Sequence, residues 1–468
     1  MPLPRSSCFL LLATFLAVVA RLGAAAPENL LPNPELKAGA DGVPASWTFW
    51  TPRPALAPVG EVAQRDGASV LSVRARDTAS IGKWMTLVPG IKGGQHYRLE
   101  VLHQAEQGIT EASSVLVVLS WYRTATGEGE IQRDYVLRTG EENGWARSAR
   151  TVQAPADAQT LRVEFALRWA PAGKSVVFKA PRLTMAEPPA PRTIRVVTTR
   201  IQPDIPTATV DGNMKLVAEM FDRVGPLQPD VVVFSENIGT RFVKGPLAGK
   251  AQPIPGPITN VLAEKARKYR TYAIITLLEA NGDLFHNTLV LIDREGRIVG
   301  RYRKIHLTIG EGENGLTPGN EYAVFDTDFG KVGLLTCWDN WFSESARALR
   351  LKGAEMIFMP LAGDSSATHW DASWRSRAIE NGVWFVTSST VTDAPSRIIN
   401  PQGEVVADAT GNFAYAVAEV DLNQEWRQRY MSVGNGYGEP ARFLVKERRP
   451  DTYPSLMTSD VPETDPQP

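Results

Sequence analysis

The spacing of apolar residues changes at a proline-rich stretch near residue 190, and this change constrains the fold more than any other feature. Before it, short segments such as SVLSVRA and TLRVEFALRW alternate apolar with polar residues between Gly, Asp and Pro turns. After it, continuous apolar segments such as DVVVFSE and TYAIITLLEA are separated by helical spacing, as at Met214, Val217 and Phe221. Alternation predicts a β-sandwich, and buried strands between helices predict an α/β unit.

These patterns divide the chain into successive segments. We predict a signal peptide over 1–26, a β-sandwich over 27–186, a linker over 187–192, an α/β domain over 193–446 and a tail over 447–468. The linker, EPPAPR, has three prolines in six residues, which predicts a stiff connection. The tail has five prolines and few apolar residues, so we expect it to be extended or disordered.

The first 26 residues have the composition of a secretory signal. Arg5 precedes an apolar stretch from Phe9 to Ala20, and small residues follow from Gly23 to Ala26. No later segment approaches the roughly 20 apolar residues that a membrane span needs. The sequence therefore predicts a secreted or periplasmic protein without a membrane span.

The two cysteines, Cys8 and Cys337, lie in different predicted segments, and only one of them would remain after export. Cys8 lies inside the predicted signal, so the exported chain would keep Cys337 alone. A lone thiol in an exported protein indicates intermolecular pairing or a reactive group, although a buried, inert cysteine is an alternative. The formal net charge is −1 and there is no basic run, which argues against a nucleic-acid partner and favours small molecules or neutral polymers.

Three polar residues follow predicted strands of the α/β domain. Cys337 lies between a strand at Val332–Thr336 and a helix that begins near Ser343, where backbone N–H groups favour a thiolate. Glu236 ends the strand of PDVVVFSEN, and Lys304 follows the strand of RIVGRYRK. Catalytic groups of open α/β sheets gather at such strand ends. A cysteine–histidine mechanism is an alternative, although no histidine is marked out by its neighbours.

The order of these stretches resembles the nitrilase superfamily of carbon–nitrogen hydrolases. The resemblance covers 193–453 and rests on HNTLVLID, GRYRKIHL, TPGNEYAVFDTDFGKVGLLTCWD, RSRAIENGVWFV and IINPQGEVVADA. It implies a four-layer α-β-β-α sandwich that pairs into a homodimer or higher homo-oligomer. It also implies that no metal or organic cofactor takes part.

The resemblance further implies roles for individual residues. Cys337 would be the nucleophile, Glu236 the general base, and Lys304 the cation that holds an oxyanion. A second glutamate is expected between the lysine and the cysteine, with Glu311 preferred on spacing and Glu313 as the alternative. Trp338, Asp339 and Trp341 would border the oxyanion and substrate pocket, Trp338 through its backbone N–H. The alternative for Asp339 is to orient the turn and the start of the following helix. Phe342, Trp370 and Trp374 would line a substrate pocket or fill the core.

The segment before the linker resembles galactose-binding-like carbohydrate modules. The motifs are NLLPNPELKAGADGVPASWTFW, VPGIKGGQHYRLEVLHQ and VVFKAPRLTM. This resemblance implies a jelly-roll sandwich and a glycan partner, held by exposed aromatic rings among Trp47, Trp50, Trp84, Trp121 and Tyr122. The alternative is a domain that only packs against the hydrolase domain.

Together these features predict a secreted hydrolase that cleaves a non-peptide linear amide or carbamoyl bond through a cysteine thioester. The segment WDNWFSE after Cys337 differs from the Trp-Glu-Asn of typical nitrilases, so nitrile hydrolysis and acyl transfer stay open as alternatives. A further alternative is a glycan-binding protein with a degenerate hydrolase domain.

Overall fold

The structure is a computed structural model that describes residues 27–40, 42–363, 366–391, 393–429 and 436–457. The predicted signal over 1–26, with Cys8, and residues 458–468 of the predicted tail lie outside these ranges.

The N-terminal part is built from two antiparallel sheets. The elements in chain order are β1 Thr48–Trp50, β2 Val59–Arg65, β3 Ala68–Arg74, β4 Ile81–Pro89, β5 His96–Ala105, α1 Glu111–Ser114, β6 Val115–Tyr122, β7 Glu130–Tyr135, β8 Arg138–Glu142, β9 Trp145–Gln153, β10 Thr160–Arg168 and β11 Ser175–Ala186. One sheet has the order β1-β4-β10-β6-β7 and the other β2-β3-β11-β5-β9-β8. Side chains from both sheets share one apolar core, because alternate residues of each strand point inward. The jelly-roll topology stays a prediction.

The prediction of exposed aromatic rings is wrong for four of the five residues. Trp47, Trp84, Trp121 and Tyr122 are at most 4% exposed. Their side chains occupy inward or covered positions, and the indole N–H of Trp121 donates to the Asp134 carboxylate at 2.8 Å. Trp50, at 39% exposure, is the ring that lies at the surface.

The segment 187–192 has no helix or strand. At its end Arg192 donates to both carboxylate oxygens of Glu355 at 2.8 Å and to the carbonyl of Phe329 at 3.0 Å. These bonds attach the end of the linker to the α/β part of the chain.

The α/β part contains two six-stranded sheets with strand orders β16-β15-β14-β13-β12-β23 and β17-β18-β19-β20-β21-β22. Its elements are β12 Thr193–Ile201, α2 Val210–Val224, β13 Val231–Val233, α3 Pro257–Tyr269, β14 Tyr272–Asn281, β15 Leu284–Ile292, β16 Ile298–Arg303, α4 Ile309–Glu313, β17 Val324–Asp326, β18 Lys331–Leu334, α5 Ser343–Leu351, β19 Met356–Leu361, α6 Ala367–Asn381, β20 Trp384–Ser389, β21 Ser396–Ile399, β22 Val405–Ala409 and β23 Phe413–Asp421. The central strands of each sheet run parallel, and the strands at the edges run antiparallel.

The layers follow from which faces share a core. Helices α2 and α3 pack on one face of the first sheet. The opposite face of that sheet shares a core with the second sheet, which α5 and α6 cover on its far side. The order of layers is therefore α-β-β-α, as the resemblance to the nitrilase superfamily implies; the apolar pattern alone predicts only an α/β domain.

The C-terminal segment departs from the prediction. After β23, the short strands β24 Gln428–Arg429 and β25 Tyr437–Gly438 extend the N-terminal seven-stranded sheet, and α7 Pro440–Lys446 follows. The tail was expected to be extended or disordered, but Pro450–Thr452 and Pro454–Met457 form 3₁₀ turns. Each turn begins with a proline, whose fixed φ suits the first helical position. Apolar spacing carried no signal for this docking because the contacts are mainly polar.

Candidate active site

The nucleophile candidate lies at a sharp turn after a buried strand. Strand β18 ends at Leu334, and a 3₁₀ turn over Cys337–Trp341 begins two residues after Leu335. Cys337 has a φ of +48°, a left-handed conformation that costs energy for a residue with a side chain and that clusters at functional sites. The thiol is 7% exposed, and no other free cysteine occurs in the described part of the chain.

Glu236 lies beside this thiol. It follows β13 at the carboxyl end of the parallel strands and is 4% exposed. Its Oε2 accepts a hydrogen bond from the Ala362 N–H at 2.8 Å, and its carboxylate is close enough to the Cys337 thiol to raise the pKa of that thiol. The geometry therefore gives the thiol proton an acceptor within reach.

Lys304 reaches the same carboxylate from β16. Its side chain is 1% exposed, and its Nζ lies 3.3 Å from Oε1 of Glu236. The ammonium also donates to the two carboxylate oxygens of Glu311, at 2.9 and 2.7 Å. A buried cation needs such anionic partners because its desolvation is otherwise costly.

Glu311, rather than Glu313, is the second glutamate in this cluster. Glu311 is the third residue of α4, where its carboxylate accepts from the Thr308 N–H at 2.9 Å in a capping box. Glu313 is exposed. The two-residue difference matters because the helix turns Glu311 inward and Glu313 outward.

Asn287 joins the two glutamates, and no role was predicted for it. Its side-chain amide donates to Glu236 at 2.8 Å and to Glu311 at 2.9 Å. Asn287 is a fully buried residue in the middle of β15. A polar side chain inside the apolar segment LFHNTLVLI is the signal that would have found it, because a buried amide needs partners.

Burial and neighbouring charges determine the protonation of this cluster. Burial raises the pKa of the Cys337 thiol well above its ordinary value, Glu236 raises it further, and Lys304 opposes this. Burial works against the charge of Lys304, but Glu236, Cys337 and Glu311 together raise the pKa of the ammonium. Burial works against the charge of Glu311 too, yet Lys304 holds the pKa of that carboxyl below its usual range. The resting cluster thus holds a protonated thiol and a charged lysine.

Of the two predicted roles of Asp339, bordering the pocket and orienting the turn, the buried position of its side chain fits the second. The carboxylate is fully buried, and its oxygens accept hydrogen bonds from the Tyr302 hydroxyl at 2.7 Å and from the Thr336 N–H at 3.2 Å. The backbone N–H and the Nδ1 of His306 lie 2.9 and 3.0 Å away from it. With both oxygens occupied by protein groups, Asp339 holds the loop together.

The predicted aromatic residues divide into surface and core positions. Trp338 is 37% exposed next to the nucleophile, with its ring 6.3 Å from that of Trp341. Trp341 is half-buried, and its ring lies 4.8 Å from that of Trp370 at an interplanar angle of 45°. Trp370 and Trp374 are at most 1% exposed and belong to the core, so of these rings Trp338 is best exposed for contact with a ligand.

A cleft opens next to the nucleophile. Its volume is about 770 Å³, and Gln202, Asp204, Arg241, Gly363, Asp393 and Asn412 are among its lining residues. A Cβ added at Gly363 would lie 3.6 Å from the Cys337 sulfur and 3.0 Å from the Trp370 ring. Glycine at this position keeps the space between the cleft and the sulfur free.

Metal-binding clusters and membrane-spanning helices are absent from the described residues. No group of three or more His, Cys, Asp and Glu side chains there could hold a metal ion. In the same ranges, no helix has the length and apolar character to cross a membrane.

A buried thiol, a carboxylate and an ammonium lie together at the strand ends of an α-β-β-α sandwich, an arrangement that suits a hydrolase with a cysteine nucleophile. Residues 196–430 match the family model for carbon–nitrogen hydrolase. The chain belongs to this family, within the nitrilase superfamily, and is an enzyme of the amidase or nitrilase type.

Curated relatives carry amidase names. An N-carbamoylputrescine amidase from Solanum lycopersicum is 32% identical over 240 residues, which cover 45% of this chain and 77% of that protein. An omega-amidase, NIT2, from Homo sapiens is 31% identical over 194 residues, covering 37% of this chain and 70% of that protein.

The sequence identities to solved structures are lower than those to the curated relatives. A carbon–nitrogen hydrolase from Helicobacter pylori has a TM-score of 0.43 and 23% identity, covering 49% of this chain and 90% of that one. An amidase from Nesterenkonia sp. has a TM-score of 0.45 and 18% identity over the same shares. The family assignment rests on the family model and the sequence relatives.

Proposed function

We propose that this protein is a secreted hydrolase that cleaves a non-peptide linear amide or carbamoyl bond through a thioester on Cys337. The observation that carries the proposal is the buried contact of the Cys337 thiol with Glu236, whose carboxylate is also bound by Lys304 at 3.3 Å. These groups supply a nucleophile, a base and an oxyanion-binding cation.

In the acylation step, Glu236 takes the thiol proton as the sulfur bonds to the carbonyl carbon of the substrate. The carbonyl π electrons move to oxygen, where Lys304 and the backbone N–H of Trp338 stabilise the negative charge. When the carbonyl re-forms, the C–N bond breaks and Glu236 gives its proton to the leaving amine or ammonia. A thioester remains on Cys337.

In the deacylation step, Glu236 takes a proton from water as the water oxygen adds to the thioester carbon. The C–S bond then breaks, and the proton on Glu236 returns to the sulfur. The products are a carboxylic or carbamic acid and the free thiol. Acylation requires a base because the thiol is protonated at rest, since burial and Glu236 raise the pKa of Cys337. Deacylation requires a base because neutral water is a weak nucleophile.

Glu311 and Asn287 complete the cluster and position the Lys304 ammonium and the Glu236 carboxylate. Glu311 binds the Lys304 ammonium through both oxygens, so the lysine stays charged and aimed. Asn287 donates to Glu236 and Glu311 and fixes the distance between them. Because Lys304 stays charged, it stabilises the oxyanion without transferring a proton.

Amides and carbamoyl compounds are preferred as substrates because the named relatives are amidases. Nitrile hydrolysis by the same residues would pass through a thioimidate, and acyl transfer would replace the water with an amine. The cleft beside Gly363 carries Arg241 and two carboxylates, Asp204 and Asp393, which suits a substrate with a polar group away from the scissile bond.

The test is release of ammonia or amine from a panel of linear amides, carbamoyl amines and nitriles, with hydroxylamine added as an acceptor in parallel. We expect turnover of an amide or carbamoyl compound, no turnover by Cys337→Ala, and a loss of about 10²–10³-fold in kcat for Lys304→Met. Lys331→Met, an exposed lysine of β18, is the matched control and should retain activity. Equal activity of Lys304→Met and Lys331→Met would refute the proposed role of Lys304.

Export and self-association are part of the same proposal. The sequence of residues 1–26 supports export. Cleavage directly before Pro27 is unfavourable, so we expect it within this segment, after Ala24 or Ala25, and N-terminal sequencing of the exported protein should find a start at residue 25 or 26. We also propose a homodimer or larger homo-oligomer, as the family resemblance implies. Sedimentation at micromolar concentration should give at least twice the monomer mass, and a monomer would refute it.

A second candidate function is glycan binding by the N-terminal β domain. The exposed ring of Trp50 supports it, and binding alone, without turnover of any amide, is what a degenerate hydrolase would give. Calorimetry with simple sugars distinguishes the two functions because it requires no chemical step.

A further inference from the structure

A groove on the outer face of the seven-stranded N-terminal sheet is separate from the candidate active site. Its volume is about 200 Å³, and it is lined by side chains of β1, β4, β6, β7 and β10. Along β10, Phe165 and Leu167 point into the sandwich core, so Glu164, Ala166 and Arg168 point outward into the groove.

The groove has an apolar floor and an aromatic edge. Leu116, Val118 and Ala166 form the floor, and Phe443 of α7 packs against the same apolar cluster. Trp50, with 39% of its surface exposed, stands at the edge. The Lys83 ammonium lies over the Trp50 ring, 4.7 Å from its centroid, so the other face of the indole is the one that suits the C–H face of a sugar ring. The volume lies below the range of drug-sized ligands.

The polar lining is mostly cationic. Lys83, Arg133 and Arg168 line the groove together with a single carboxylate, Glu164. Lys83 donates to Glu164 at 2.6 Å, and Arg133 donates to Glu130 at 2.8 Å. The groove therefore keeps a net positive charge and an excess of hydrogen-bond donors.

Arg168 has one hydrogen-bond donor without a partner among the described residues. Its Nε donates to the Ser113 carbonyl at 2.9 Å, while its buried Nη2 has no hydrogen-bond partner among the described residues. A buried guanidinium nitrogen without an acceptor is costly, and a carboxylate is the acceptor that matches it best.

We propose that this groove binds a single carboxylate-bearing sugar ring, a uronic acid, with the carboxylate on Arg168 and the ring against Trp50. The inference deepens the proposed glycan binding and is independent of the amidase chemistry. The ligand is a free uronic acid or the end of a uronic-acid polymer, since both present the same ring and charge.

The test is isothermal titration of the full-length protein with D-glucuronate, D-glucose and acetate, and with a short uronic-acid oligomer to separate the two sources. We expect glucuronate to bind at least about tenfold more tightly than glucose, as one charge-assisted hydrogen bond allows, and acetate not to bind. Arg168→Gln should reduce glucuronate to the affinity of glucose, and Trp50→Ala should remove binding of both sugars. Arg74→Gln, on the other sheet, is the matched control.

The outcomes separate the claims. Equal binding of glucose and glucuronate overturns the anionic specificity and leaves glycan binding in place. If acetate binds as tightly as glucuronate, the claim that the groove recognises a sugar ring is wrong. If no sugar binds, both the proposed site in the groove and the proposed glycan binding by the β domain are wrong. The midpoint of urea unfolding, measured on the same samples, should not change by more than a few tenths molar in any variant, which shows that the β domain is folded; amide turnover should not change either.

Discussion

At Cys337 both the backbone and the side chain are held in states that the isolated residue would avoid. The φ of +48° is left-handed, and the buried thiol faces a carboxylate. Such strain persists only where the surroundings over-determine it. Here the hydrogen bonds of the loop to Asp339 and the contact with Glu236 provide that constraint.

The protonation of Cys337 leads to a pH prediction. Because burial and Glu236 raise the pKa of the thiol above its ordinary 9.0, the thiolate forms only above that pH. We expect the rate of alkylation by iodoacetamide to rise with a midpoint above pH 9. In Glu236→Gln the midpoint should move down, because the carboxylate no longer opposes ionisation. A wild-type midpoint at or below pH 9 would contradict this.

The second glutamate gives a matched pair of variants. Glu311→Gln removes the charge that both oxygens present to Lys304, so we expect kcat to fall by about 10²-fold. Glu313→Gln, two residues away and exposed, should leave kcat within twofold. Steady-state turnover of the best amide measures both, and similar losses would remove the distinction between the two glutamates.

Some candidate site residues were predictable because each follows a strand and because their order resembles that of the nitrilase superfamily. Glu236, Lys304 and Cys337 all lie just after β-strands, and strand ends meet at one edge of a sheet. A role for Asn287 was not predictable. Asn287 lies inside a strand, and the sequence pattern does not show which side chains of other elements lie next to it. The burial of Trp84 and Trp121 was missed for a related reason: strand alternation does not reveal which face is covered.

At the scale of elements, one carboxylate joins the two loops that carry Lys304 and Cys337. Tyr302 and His306 flank Lys304, while Thr336 and Asp339 flank Cys337, and the Asp339 carboxylate binds the other three. The distance between nucleophile and cation thus depends on a residue that touches neither. Asp339 is accordingly a positioning residue.

The replacement Asp339→Asn tests this link. An amide presents a donor where the carboxylate accepts, so at least one bond is lost in a buried place, and we expect a loss of about 2–3 kcal/mol in unfolding free energy. We also expect kcat to fall with little change in KM, because alignment rather than substrate binding is affected. Asp326→Asn, an exposed carboxylate paired with Lys331, is the control. Urea titration and steady-state kinetics measure both, and an unchanged kcat would contradict positioning.

Helices and strands of the α/β part were predictable from periodicity. The apolar positions Met214, Val217 and Phe221 lie on the buried face of α2, and Ile298–Arg303 forms the predicted strand β16. The two-residue strands β24 and β25 were not predictable, because so short a segment has no period.

At the scale of the whole molecule, a buried ionic network joins the C-terminal segment to the N-terminal sheet. Arg150 of β9 donates to Glu439 at 2.6 Å and contacts Glu425. Arg427 donates to Asp134 at 2.6 Å. Burial alone would raise the pKa of Asp134, yet Arg427 and Arg150 lower it to about 2. The β domain and the end of the hydrolase chain are thus held together by charges.

The replacement Arg150→Met tests the strength of this junction. It leaves Asp134 and Glu439 buried without their shared cation, which costs about 3–5 kcal/mol for a broken buried pair. We expect a lower melting temperature and faster proteolysis near residues 187–192. Arg147→Met, on the same strand with a half-exposed side chain, should show neither effect, and equal behaviour of the two variants would contradict a structural role for the network.

The two-part architecture was predictable from the change in apolar spacing at EPPAPR, since each part has its own period. The docking of the C-terminal segment on the N-terminal sheet was not predictable from the sequence. It depends on long-range pairs such as Tyr135 with Glu447, at 2.8 Å. Polar residues that join distant segments leave no local pattern in a single sequence.

The central claim is that Cys337 becomes acylated by an amide with Glu236 as its base, and intact mass spectrometry tests it most directly. The protein is mixed with the amide panel and quenched in acid after seconds, with Cys337→Ala alongside. We expect the wild type to gain the mass of the acyl group, with the added mass on the peptide that contains Cys337, and the variant to gain nothing. Release of ammonia or amine by Cys337→Ala at the wild-type rate would contradict the account, as would an acyl group found on any other residue.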